Sequence, residues 1–133
     1  MMIRRRILQD QEGVAAVEMA IALPILVVFI WGIFQIGLLF QANAGMQHAL
    51  GEGARYATIF PTPTDTDIRN RVLAKKFGTY NGNLGSLQIA DTSSGGVVQY
   101  KDMTLTYNQQ MHFLFIPVTT VTLTRSKRVY MPT

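Results

Sequence analysis

Residues 19–34 read MAIALPILVVFIWGIF, sixteen in a row without a charged, amide or hydroxyl side chain. Gln35 breaks the run and Ile36 to Phe40 resume it. Val14 to Phe40 thus holds 27 residues of which only Glu18 and Gln35 are polar. A bilayer core of about 30 Å takes roughly 20 helical residues, so this segment is long enough to span. It is also longer than the roughly 7–15 apolar residues of a secretory signal. Arg4, Arg5 and Arg6 precede it, and the stretch QANAGMQ (41–47) that follows is uncharged. An excess of Lys and Arg marks the cytoplasmic side of a span, which puts the N-terminus inside and everything beyond about residue 45 outside.

Composition agrees. The chain has 133 residues, 48% of them apolar and 15% charged, against roughly 25% charged in an ordinary soluble domain. Twelve Lys and Arg face eight Asp and Glu, a net +4, and three of the twelve are Arg4–Arg6. Between Glu18 and Glu52 the one ionisable side chain is His48. A nucleic-acid binder carries its basic charge along a folded face, whereas here it sits beside an apolar segment. The absence of cysteine excludes a disulfide-stapled module, thiolate metal sites and thiol catalysis. The apolar content excludes intrinsic disorder.

An export signal is the competing reading of this segment. Arg5-Arg6-Ile7-Leu8 resembles a twin-arginine motif, and Ala42-Asn43-Ala44 would serve as a small-residue cleavage site. Asp10, Glu12 and Glu18 fit such a signal badly.

Glu18 is the residue that needs explaining. A carboxylate in hydrocarbon costs on the order of 2–3 kcal/mol at mid-membrane and less near an end. Its neighbours within a helical turn (Val14, Ala15, Met19, Ile21 and Ala22) are all apolar. A cut after Gly13 would give Val14 a free, positive amine four residues before Glu18, close to the i,i+4 spacing that brings helical groups together. The amine would then meet Glu18 of its own helix or of a neighbour.

Gly13-Val14-Ala15-Ala16-Val17-Glu18 resembles a type IV prepilin processing site, with a basic leader, a glycine, and a mature apolar helix bearing Glu at its fifth position. The stretch EGVAAVEMAIALPILVVFIWGIFQIG (12–37) and the later GEGARYA (51–57), with Leu23-Pro24, Gly32 and Gly37, narrow the resemblance to the TadE-like minor pilins, or pseudopilins, of tight-adherence pili. It is close over about residues 11–58 and general beyond. The resemblance implies an aspartyl prepilin peptidase that cuts between Gly13 and Val14, Glu18 as the assembly carboxylate, and other pilin subunits and the pilus assembly machinery as partners. It implies a structural role rather than an enzymatic one.

Helical periodicity continues past the membrane: Met46, Ala49, Leu50, Ala54 and Ala57 form an i, i+3, i+4 stripe with Gln47, Glu52 and Arg55 off it. Phe60-Pro61 ends it, because the residue before proline disfavours helical geometry. Pro24 removes a backbone hydrogen bond and is expected to kink the span. Gly32, Gly37 and Gly45 are either notches for a neighbouring helix or ordinary transmembrane composition. Trp31 lies too deep for an interfacial belt and faces lipid or a partner helix.

The chain then divides into a cytoplasmic leader (1–13), a transmembrane part (14–40) and a periplasmic part (41–60) of one spine helix, and a small periplasmic domain (61–133). In that domain PTPT (61–64) reads as a turn and Asp65 to Phe77 as a helix. Asp65 and Asp67 stand at its start, Ile68, Val72 and Phe77 on one face, and Gly78 at its stop. Arg69, Arg71, Lys75 and Lys76 form either a solvated face, the commoner case, or a contact for an anionic surface. Residues 78–86 read as loop. Leu87 and Ile89 begin a strand, DTSSGG (91–96) a turn, and Val97–Tyr100 and Met103–Tyr107 further strands. Asn108–Gln110 turn the chain. Phe113–Ile116 and Val118–Thr124 make a strand pair, or one strand broken at Pro117. The expected fold is α+β and pilin-like: a long helix packed by a short helix and three or four antiparallel strands, which depend on the helix for their core.

No catalytic constellation emerges. His48, on the spine helix, and His112, near a strand start, lack zinc-ligand spacing. The Asp65/Asp67 pair suits a helix cap better than a calcium site. No phosphate loop, nucleophile elbow or dinucleotide fingerprint occurs. The reading is a membrane protein of a pilus with no cofactor, metal, nucleic acid or small-molecule substrate. The alternative is an uncut inner-membrane anchor carrying a periplasmic binding module.

Overall fold

The computed structural model describes residues 11–113 and 116–131; Arg4, Arg5 and Arg6 of the leader lie outside the described residues. The chain forms two compact units, Met1–Phe34 and Gln35–Thr133. One helix, α1 (Gln11–Ala57), begins in the first and ends in the second. The second unit adds α2 (Asp65–Lys75), β1 (Gly82–Leu84), β2 (Gln88–Ser94), β3 (Val97–Phe113) and β4 (Ile116–Tyr130). The fold is α+β, with four antiparallel strands as the sheet.

β3 is the centre of that sheet. β4 runs along one side of it, from Tyr100↔Tyr130 to Phe113↔Ile116. β2 and β1 share the other side in succession, against Val97–Thr104 and Tyr107–Gln109. Side chains alternate across a strand, and β3 does so strictly: Lys101, Met103, Leu105, Tyr107 and Gln109 are all buried. Met103, Leu105 and Tyr107 share the core with the α1 stripe of Ala42, Met46, Ala49, Leu50, Ala54 and Ala57, with Ile68 and Val72 of α2, and with Leu87 and Val129. Every residue of the stripe read from the sequence is therefore in the core, and Ala42 extends it by about one turn.

Several expectations are corrected. Asn108–Gln110 do not turn the chain. They lie inside β3, where Gly82 and Val121 pair with Gln109 on either side and Thr122 Oγ1 donates to Asn108 Oδ1 at 2.8 Å. A polar run that resembles a turn in isolation is held in the sheet here by the pairing of its backbone with the flanking strands. Val97–Tyr100 and Met103–Tyr107 are accordingly one strand. The DTSSGG turn shrinks to Gly95-Gly96, with φ of 61° and 82°, the two positive values that a type I′ hairpin requires; Asp91–Ser94 belong to β2. β4 does not break at Pro117. It lies on the outer side of β3, where a missing N–H is tolerated, and the register shifts between Met111 and His112. His112 sits near the end of β3, not at a strand start.

Residues 78–86 also hold more than loop. β1 is three residues long, and its Gly82 is required because a Cβ there would meet the carbonyl of Asn108 and the hydroxyl of Tyr107. α2 stops at Lys75 rather than Phe77, since Lys76 is already extended. At its start Thr64 and Asp67 form a reciprocal capping box, which agrees with the cap reading of the acidic pair.

Candidate functional site: the N-terminal helix

Every residue from Gly13 to Ile30 is exposed. An apolar helix with no buried face needs lipid or other helices around it. Among the described residues α1 is the one helix long and apolar enough to cross a membrane, as a single-pass membrane anchor requires. Gly13 and Val14 are helical and exposed, and one exposed helical turn separates them from Glu18. None of the ion pairs formed among the described residues involves Glu18. The helix continues through Pro24. Trp31 stacks at a tilt on Phe34, ring centroids 6.1 Å apart.

The three glycines separate. A Cβ on Gly32 or Gly37 would meet nothing within 4 Å, whereas one on Gly45 would run into the backbone carbonyl of Phe77. Gly45 is thus a notch for the protein's own chain. The segment after α2 crosses α1 there, with Gly78 (φ +69°) against the Gln41 carbonyl and the Phe77 ring 5.7 Å from His48. Gln35, read from the sequence only as an interruption of the span, is buried, and its Nε2 donates to the carbonyl of His112 at 3.5 Å.

Of the basic residues in and after α2, Arg69 and Arg71 are drawn into the fold, whereas Lys75 and Lys76 are exposed. Arg71 pairs with Glu52 of α1 at 3.2 Å, while Arg69 donates to the carbonyl of Leu87. Glu52 also holds Arg55 at 3.2 Å, and these guanidinium bonds keep its carboxyl below the ordinary 4.5. Across the sheet, Lys101 Nζ donates at 2.8 Å to both Asp65 and Asp91. Nothing in its spacing marked Lys101 in advance, although its inward position in the β3 alternation does. Arg128 binds both oxygens of Asp102 at 2.8 Å and lies over the Tyr100 ring, 4.0 Å from its centroid. Among the described residues no three His, Cys, Asp or Glu converge in a metal-binding group.

No curated protein and no solved structure matches the chain. Over residues 13–55, the exposed apolar helix and its continuation into the core, the chain matches the family model described as TadE-like protein.

Proposed function

We propose that this chain is a minor pilin, or pseudopilin, of a tight-adherence pilus, and that it is cut between Gly13 and Val14 by a prepilin peptidase. It resides in the inner membrane with its N-terminus cytoplasmic and its sheet-bearing domain periplasmic. In assembly it exchanges lipid for the helices of other pilin subunits, serving pilus formation and, through it, surface attachment and biofilm growth. The family is a structural one, which favours a part in a filament over catalysis.

One observation carries the proposal: the family match begins at Gly13, and the exposed helix that follows bears a single carboxylate, Glu18, on an otherwise apolar surface. A lone intramembrane carboxylate is costly unless it gains a partner. The amine freed at Val14 is that partner, on a neighbouring helix in the fibre or on its own before assembly.

The N-terminal residue of the protein from its native membrane tests the cut. Intact mass is expected to give a start at Val14. A start at Met1 with active peptidase present sinks the processing, and a start at Gly45 indicates a removed export signal. Glu18→Ala separates the filament subunit from the uncut binding module: the first is cut but fails to assemble, the second is indifferent.

A further inference from the structure

The described residues that flank the end of the β3–β4 hairpin are apolar and uncovered. Ile116 and Val118 are each 66% exposed, and Phe113 is 40% exposed. No Asp, Glu, Lys or Arg occurs between Asp102 and Arg125. The level of this hairpin end along α1 is fixed by two contacts. Gln35 holds the carbonyl of His112, one residue before Phe113. Further up, Arg125 Nε donates to Asn43 Oδ1 at 2.5 Å. Between them Ile36, Leu39, Phe40 and Leu123 line an apolar groove.

These levels matter because of where the apolar run of α1 ends. Phe40, 69% exposed, is its last residue before Gln41. Gln35 lies five residues earlier, about 7–8 Å down the helix axis at 1.5 Å per residue. If Phe40 marks the edge of the hydrocarbon, the hairpin end lies about 7–8 Å inside it, within the roughly 5–10 Å that interfacial segments bury. Arg125, at the level of Asn43, then falls among the phosphates, and it is the first charge on β4.

We propose that the hairpin end is a second membrane contact, in which Phe113, Ile116 and Val118 enter the headgroup–acyl boundary beside α1. The inference rests on the membrane-anchored reading of α1. Cross-strand pairing of Phe113 with Ile116 satisfies much of the local backbone, as shallow entry requires. The outer edge of β4 keeps the contact interfacial, because unpaired backbone groups are costly in hydrocarbon. The contact would hold the domain upright on the bilayer until extraction.

The chain has no cysteine, so single-cysteine variants of the full chain can carry a fluorophore in liposomes. Ile116→Cys is the test position, Phe29→Cys reports the anchor, and Ser94→Cys, at the far end of the sheet, reports water. Lipid-borne nitroxide near the headgroups is expected to quench the label at 116 roughly twofold or more beyond that at 94, with iodide excluded. Equal iodide access at 116 and 94 overturns the proposal. Shielding at 116 from both quenchers overturns it too, and means that a protein covers the hairpin. Lipid quenching at 29 without it at 116 removes only this inference, whereas its absence at 29 removes the anchor itself.

Discussion

The carbonyl of Phe77 lies so close over the Cα of Gly45 that no side chain fits between them. The segment leaving α2 therefore crosses α1 where Gly45 offers bare backbone. Gly51, two turns on, faces open space. The two positions give opposite outcomes for the same substitution. Gly51→Ala gains the helix propensity of alanine, about 0.5–1 kcal/mol. Gly45→Ala forces the crossing apart and costs about 1–3 kcal/mol. Thermal unfolding of the full chain in detergent, followed by circular dichroism, reads both. Equal melting temperatures for the two variants would remove the crossing.

Lys101 joins three elements. Its ammonium, 8% exposed, reaches Asp65 on α2 and Asp91 on β2 from the centre of β3. Removing one member of a buried ion pair costs about 3–5 kcal/mol. Asp65 and Asp91 are 44% and 37% exposed, so water takes over part of what the ammonium supplied. Lys101→Met is expected to cost about 1–3 kcal/mol for that reason, and to loosen α2 from the sheet. Hydrogen exchange should rise across 65–75 more than across β4; uniform change would argue against the clamp.

The alkaline limb of stability follows from the same residue. Burial pulls the Lys101 ammonium down, but the carboxylates of Asp65 and Asp91 more than offset it and leave it above the ordinary 10.5. Burial also pushes the Tyr107 hydroxyl above its ordinary 10.0, against a backbone contact with Asn81 that lowers it. A group whose folded pKa is raised stabilises fully below its unfolded pKa, and that contribution disappears as pH rises through the folded value. Stability is therefore expected to hold up to about pH 10 and to fall beyond it. The fall should be shallower in Lys101→Met. An identical slope in the variant would place the effect elsewhere.

The sequence spoke most clearly where one period governs a long segment. The α1 stripe from Met46 to Ala57 was legible because a helix must repeat its apolar residues every three or four positions. Glu18 stands out because an intramembrane charge is expensive. β3 was harder, since Asn108, Gln109 and Gln110 are turn-forming in isolation and only backbone pairing with flanking strands, distant in sequence, holds them extended. The contacts made by Lys101, Gln35 and Gly45 gave no local signal. Each residue acquires its role from a partner at least 10 residues away: Asp91, His112 and Phe77.

Gly37 differs from Gly45 in having nothing near it, although both lie on one helix. Its missing side chain is not required by the folded domain. Small residues on a membrane helix let another helix approach closely, and a filament of packed helices would use that notch. Gly37→Leu is therefore expected to leave the melting temperature within about 2 °C of the parent, as a surface change within about 0.5 kcal/mol does. It should also leave membrane insertion and the proposed cut after Gly13 intact while reducing pili counted on cells by electron microscopy. A full complement of pili would show that Gly37 is only membrane composition. A large fall in melting temperature would instead show that the domain packs against it. Loss of pili with a stable, processed, membrane-inserted subunit is the one outcome that assigns Gly37 to a contact between subunits.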